Sequence, residues 1–181
     1  ENEPSAQELS RADFSGALDA YVAHTAFAST RAQRLAAFVL DRYESLGYDS
    51  YFAEYERKRR TLVAAVNQVD GFNAPMPEGG SYVFVNIRRF VDTHRPRLEQ
   101  RVLAEARKRA LPAAEIALVL RHDSLLVSRF LLYSVGLGVV PGIAYGPASD
   151  DFLRLTFAVE PDEICRASER LGTIVEQLSV H

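Results

Sequence analysis

Arg154 lies between Leu153 and Leu155 in the run Phe152-Leu153-Arg154-Leu155-Thr156-Phe157-Ala158-Val159, whose alternation predicts a strand. A guanidinium keeps its charge at physiological pH and offers a planar fork that matches a carboxylate. This residue type in an apolar segment therefore points to anion binding. A plainer role is equally open: an arginine on the solvent face of a strand, or one paired with Asp150 or Asp151. Other chemistry-bearing residues are sparse. His24, His94, His122 and His181 have no ligand-like spacing to one another or to Cys165, so no metal site is expected. His122, Asp123 and Ser124 supply the residue types of a hydrolytic triad, but a triad needs separate elements that converge. Lys58 and Lys108 are the only lysines, each bordered by arginines in a helical run and read as solvated charges. Cys165 falls among apolar helical positions and reads as a small buried residue with no disulfide partner.

The wording around Arg154 carries more than its type. Val139-Val140-Pro141-Gly142-Ile143-Ala144-Tyr145-Gly146-Pro147 followed by Phe152 to Val159 resembles the C-terminal signature of the fold-type I, class I/II, pyridoxal-phosphate-dependent aminotransferases. Pro77 to Ile87 is similar to that family's "P-x-G-x-(F/Y)-Y-x-F" strand. The resemblance runs from about Thr25 to Leu178 and covers the family's small domain and connecting helices. It implies that Arg154 grips the substrate's α-carboxylate. His24 to Thr30 resembles the Thr/Ser-rich loop that approaches the neighbouring subunit's cofactor phosphate, which would involve Thr25, Ser29 and Thr30. Ser29 and Thr30 also suit the cap of the helix that follows, and the two roles are compatible.

The resemblance implies a pyridoxal 5'-phosphate cofactor, and that chemistry needs a Schiff-base lysine. Neither Lys58 nor Lys108 resembles the family's "S-x-S-K" loop, and there is no glycine-rich phosphate turn, no "N-P" dipeptide and no "D-x-x-Y" run. The expectation is that the cofactor-holding large domain belongs to a partner polypeptide and that this chain alone is not an enzyme. The leading reading is the small-domain subunit of a split aminotransferase-like enzyme, assembled into a higher oligomer and acting on an amino acid or keto acid. Two alternatives stay open: a C-terminal fragment of a single-chain aminotransferase, since the chain opens with Glu1, or a non-catalytic amino-acid-binding module. The last is weakened by the lack of a helix-turn-helix pattern with a basic recognition helix.

The elements that must position Arg154 follow from periodicity. Residues 1–12 read as a polar arm, and the arm with its cross-subunit loop extends over 1–30. A helical connector occupies 31–71: Arg31 to Leu46, with Leu35, Phe38, Val39, Tyr43 and Leu46 on one face and Gly47 as its stop, then Ser50 to Val69, ended by Gly71. The stripe of the second helix is Phe52, Tyr55, Leu62, Val66 and Val69, broken by Arg59. A small α+β domain fills 72–181, with an inserted helical segment at 91–122. Within it, Ser81 to Ile87 reads as a strand. Leu98, Val102, Leu103, Ala106 and Ala110 form a helical stripe that Pro112 ends. Ala113 to Leu120 is weakly helical. A helix capped by Asp123 or Ser124 runs to Val135 with Gly136 at its end, and two short strands follow. Pro161 opens a last helix packed through Ile164, Ala167, Leu171, Ile174 and Leu178. The fold class is α+β, a small sheet of few strands covered by helices and preceded by a long connector helix.

Composition agrees with a globular chain. Its 181 residues are 48% hydrophobic and 25% charged, with a net charge of −3 that gives no electrostatic case for nucleic acid. No apolar run reaches membrane-span length, and a cytoplasmic location is expected. A small domain built to pack on a large one should also leave apolar surface exposed on the Ser50–Val69 helix.

Overall fold

The computed structural model describes residues 29–179. Thr25 lies outside the described residues. The chain separates into two compact units, Glu1–Asp49 and Ser50–His181.

In the first unit, α1 (Thr30–Asp41) is followed by a 3-10 turn, Tyr43–Leu46. Ser29 is the cap: its Oγ accepts the Ala32 N–H at 3.2 Å, satisfying a donor that the first turn leaves orphaned. Gly47 closes the turn at φ +66°, in the left-handed region. The expected helix to Leu46 thus stops earlier, at Asp41, and tightens. Its apolar face is open, with Leu35, Phe38, Leu40, Tyr43 and Leu46 all exposed.

The second unit is built on a three-stranded antiparallel sheet of β1 (Tyr82–Asn86), β2 (Val140–Pro141) and β3 (Phe152–Thr156), in the order β1-β3-β2. The period of two divides the sheet into faces. Val83, Val85, Leu153 and Leu155 point inward and are buried. Tyr82, Phe84 and Asn86 pair across the strands with Thr156, Arg154 and Phe152 on the opposite face.

Helices cover the inward face. They are α2 (Asp49–Asn67), α3 (Arg88–Lys108), α4 (Ala113–Arg121), α5 (Asp123–Val135), α6 (Pro161–Gly172) and α7 (Ile174–Ser179). α5 packs against α3, α4 and both β2 and β3, and α7 touches α3 and α5. Leu62 and Val66 from α2, Phe90 and Leu98 from α3, and Leu126 and Phe130 from α5 join one apolar core with the sheet. Each such side chain contributes roughly 1.5–3 kcal/mol on burial, so the core easily outweighs the weak β propensity of a two-residue strand. This is the α+β arrangement that the alternation and helical stripes predicted.

Several local expectations are corrected. α3 begins at Arg88, well before the Leu98 stripe, and passes through Pro96. It ends at Lys108 rather than at Pro112: Ala110 adopts φ +51°, and Leu111 donates back to the Ala106 carbonyl at 3.0 Å. The segment 91–122 is packed into the core through Val91, Leu98, Val102 and Val119. Neither Asp123 nor Ser124 caps α5; the cap position is His122, with no side-chain cap bond of its own. The last helix divides at Thr173. Cys165 is exposed, because the packing face of α6 runs through Ile164 and Leu171. Lys58 is not a solvated charge: it is 8% exposed, paired with Glu54 at 2.7 Å and set 5.4 Å from the Tyr55 ring centroid.

Between α2 and β1 the chain is tied twice. Asn67 brackets Ala74, accepting its N–H at 2.8 Å and donating to its carbonyl at 2.9 Å. Arg59, the break in the apolar stripe, donates to the Pro77 carbonyl at 2.9 Å. Both fix where β1 starts and hence which of its residues face Arg154.

Candidate functional site

β3 places Arg154 at the centre of the sheet, with Phe84 of β1 on one side and Val140 of β2 on the other. Because β3 alternates, Leu153 and Leu155 anchor the strand in the core while Arg154 is turned to the opposite, half-open face. The guanidinium carbon lies 4.3 Å from the Tyr82 ring centroid and 5.2 Å from that of Tyr145. Tyr145 in turn meets Phe84 edge-on at 5.8 Å. Arg154 is therefore framed by aromatic rings rather than by carboxylates.

The acids that could have neutralised it are engaged elsewhere. Asp151 pairs with Arg88, and its backbone carbonyl accepts the Ile87 N–H at 2.8 Å. Asp150 accepts the Ser124 hydroxyl at 2.7 Å and the Ser124 N–H at 3.2 Å through one oxygen, while His122 Nδ1 lies 3.0 Å from the other. Among the described residues, no ion pair and no hydrogen bond engages the Arg154 side chain. Its plainer reading as a partner of Asp150 or Asp151 is thus overturned.

Asp150 does a structural task. Its carboxylate stands at the N-terminus of α5, where the orphan N–H groups and the dipole favour negative charge, and supplies the cap that α5 lacks locally. Burial pushes the Asp150 carboxyl up, but the hydrogen bonds from Ser124 and His122 outweigh it and hold the group below the ordinary aspartate value. Ser124 Oγ also accepts the Ile143 N–H at 3.1 Å, which joins the β2–β3 loop to the same knot. Serine and histidine here contact different oxygens of one carboxylate, so the histidine does not activate the serine and no triad forms.

The loop that brings Tyr145 to Arg154 consists of two short 3-10 turns, Gly142–Tyr145 and Pro147–Ser149, joined by Gly146 at φ +114°. Gly142 cannot be any other residue in this conformation. A Cβ there would stand 1.9 Å from the Ser149 carbonyl oxygen and 2.5 Å from that of Phe152. Beside the arginine, a groove of about 740 Å³ opens between β3 and α6, lined among others by Tyr82, Arg154, Thr156, Arg166 and Arg170. Arg170 is committed to the Gly136 carbonyl at 2.7 Å.

The arrangement can bind and orient a planar anion. Neither lysine of the chain stands free beside Arg154. Lys58 is paired with Glu54, and Lys108 with Glu105 at 2.6 Å. The residues described do not by themselves fit a pyridoxal phosphate site. Ser29 and Thr30 stand at the start of α1, where Ser29 caps the helix. Arg154 is a sequence-predicted site residue; Tyr82 and Tyr145, which meet it, are not. Tyr82 had a usable signal, its same-face alternation with Phe84. Tyr145 had none, because a loop has no period.

No family model matches the chain. It is similar to the aspartate aminotransferase of Streptomyces avermitilis, 23% identical over 123 residues, covering 68% of this chain and 24% of that protein. The probable aspartate/prephenate aminotransferase of Aquifex aeolicus is likewise 23% identical, over 124 residues, 68% of this chain and 24% of its own. Among solved structures, Bna3p, a putative kynurenine aminotransferase from Saccharomyces cerevisiae, shares the fold with a TM-score of 0.55 and 16% identity, over 78% of this chain and 31% of that one. The chain spans about a quarter of the length of the curated relatives it matches.

Proposed function

We propose that this chain is the small-domain part of a pyridoxal-phosphate-dependent, aminotransferase-like enzyme, and that Arg154 binds the α-carboxylate of an amino acid or keto acid. The observation that carries the proposal is an arginine on an open sheet face whose fork has no carboxylate among the described residues to satisfy it. Such a group stays charged and half-buried only at a cost, which an incoming carboxylate repays through paired N–H···O bonds. The similarity to aminotransferases over two thirds of the chain gives the carboxylate its chemical setting.

In this reading the cofactor supplies the electron sink and a large domain supplies the lysine and phosphate pocket. The chain's own residues hold and orient the substrate. The large domain is assigned to a partner polypeptide; a continuous gene product carrying both domains would use Arg154 in the same way. The intact mass of the native product separates these two arrangements.

The decisive experiment purifies the native assembly, records the visible absorbance of its cofactor, and measures turnover of each of the twenty protein amino acids. Arg154→Ala should lower kcat/KM for the best substrate by roughly 30- to 1,000-fold, the equivalent of losing about 2–4 kcal/mol of bidentate carboxylate binding. Unchanged turnover in this variant, or a colourless preparation that consumes none of the amino acids, overturns the proposal. Amino-acid binding by a colourless isolated chain would instead make it a non-catalytic module.

A further inference from the structure

An arginine that must grip a small anion faces a problem of its own making. Its side chain is long, and an exposed guanidinium samples many rotamers, so a ligand has to order it as well as bind it. β3 fixes only the Cα of Arg154. What holds the guanidinium plate is on other elements: the Tyr82 ring from β1 at 4.3 Å and the Tyr145 ring from the β2–β3 loop at 5.2 Å. Rings attract the cation through their faces and leave the N–H edge of the fork unbonded, which a carboxylate partner in the protein would not do.

We infer that Tyr82 and Tyr145 are positioning residues for Arg154, holding its fork pre-ordered for the substrate carboxylate, with Tyr145 braced by Phe84 and by the loop that Asp150 and Ser124 anchor to α5. This rests on the proposed role of Arg154 and adds to it the means by which the arginine is kept ready.

Three features support the assignment. The rings reach Arg154 from two different elements, one from a paired strand and one from the β2–β3 loop, so neither contact follows from mere sequence proximity. Tyr145 is itself fixed: it meets Phe84 edge-on at 5.8 Å, and its turn is held by the Ile143 N–H to Ser124 Oγ bond and by the glycine-only packing at Gly142. Both tyrosines nevertheless stay well exposed, 46% for Tyr82 and 47% for Tyr145. Their rings are thus not core residues whose presence burial alone would explain.

The test uses the native assembly and whichever protein amino acid it consumes best. Tyr145→Leu keeps apolar bulk and removes the ring face; Tyr145→Phe keeps the ring and removes the hydroxyl. The expected result is that Tyr145→Leu and Tyr82→Leu each raise KM roughly 3- to 10-fold with kcat within about twofold. Tyr145→Phe should behave as the parent. In an Arg154→Ala background, Tyr145→Leu should have almost no further effect, since the ring acts only through the arginine.

The outcomes separate cleanly. If Arg154→Ala itself leaves turnover unchanged, or nothing is consumed, the functional reading fails and this inference falls with it. If Arg154→Ala is damaging but Tyr145→Leu matches the parent, or costs as much with Arg154 absent as with it present, the inference is overturned and the functional reading stands. Thermal unfolding of each variant distinguishes a misfolded protein from a mispositioned arginine, and Tyr145→Phe keeps the ring contact testable if the leucine variants unfold.

Discussion

At the scale of single residues, two positions do work that no neighbour can take over. Arg154 combines permanent charge with a planar fork, and the neighbouring acids Asp150 and Asp151 are already occupied by Ser124, His122 and Arg88. Gly142 is fixed by space rather than charge, since its α-carbon passes against two backbone carbonyls that no rotamer change can move. Gly142→Ala should therefore destabilise the fold by about 3 kcal/mol or more, because backbone must shift in both the turn and β3. Chemical denaturation gives this directly: an unchanged midpoint would show that the turn relaxes freely. Alanine at Gly138, where a Cβ meets open space, is the control.

At the scale of elements, the knot of Asp150, Ser124 and His122 decides how the loop, α5 and the sheet are joined. The Asp150 carboxyl is held below its ordinary range, so its contribution to stability is complete above the unfolded-state value, about 3.9, and is lost as pH falls from there through the lower folded-state value. Asp150→Asn should cost about 1 kcal/mol at neutral pH, a figure moderated by the partial exposure of the group. The gap between parent and variant should close below about pH 4. Thermal melts across pH 3 to 8 read this out, and a constant gap would remove Asp150 as the source. The ends of α3 and α5 carry a related lesson. One closes through left-handed Ala110 and the other is capped by a residue 26 positions away in sequence, so neither boundary obeys local signals.

At the scale of the whole molecule, the apolar surface left open is substantial in each unit. α1 buries none of its residues, and the second unit exposes Tyr51 and Phe52 on α2 together with Tyr82, Phe84 and Tyr145 on the outer sheet face. Patches of this kind around a charged group suit an interface with a larger domain. The isolated chain should self-associate at micromolar concentration, and adding the proposed large-domain polypeptide should dissolve those species into a defined complex. Light scattering with size exclusion checks this; a monodisperse monomer alone would count against it. Among the described residues no helix is long and apolar enough to cross a membrane.

Most of the architecture was legible from the chain itself. β-Branched and aromatic residues in Tyr82–Asn86, alternation in Phe152–Thr156, stripes in α2 and α6, and glycines after Leu46 and Val135 specified element types because they reflect backbone geometry and one-sided burial. Arg154 was legible as a candidate anion-binding residue less from its place in an alternating strand, where an outward charge is ordinary, than from the resemblance of the residues around it to a family motif. Its surroundings were not. Whether Asp150, Asp151 or a tyrosine would meet the guanidinium depended on how a loop without any period folded back over β3. So did the cap of α5, a contact between residues 26 positions apart in sequence. Such contacts have no local signature, because they are selected by packing after the elements have formed, and only the tertiary structure decides them.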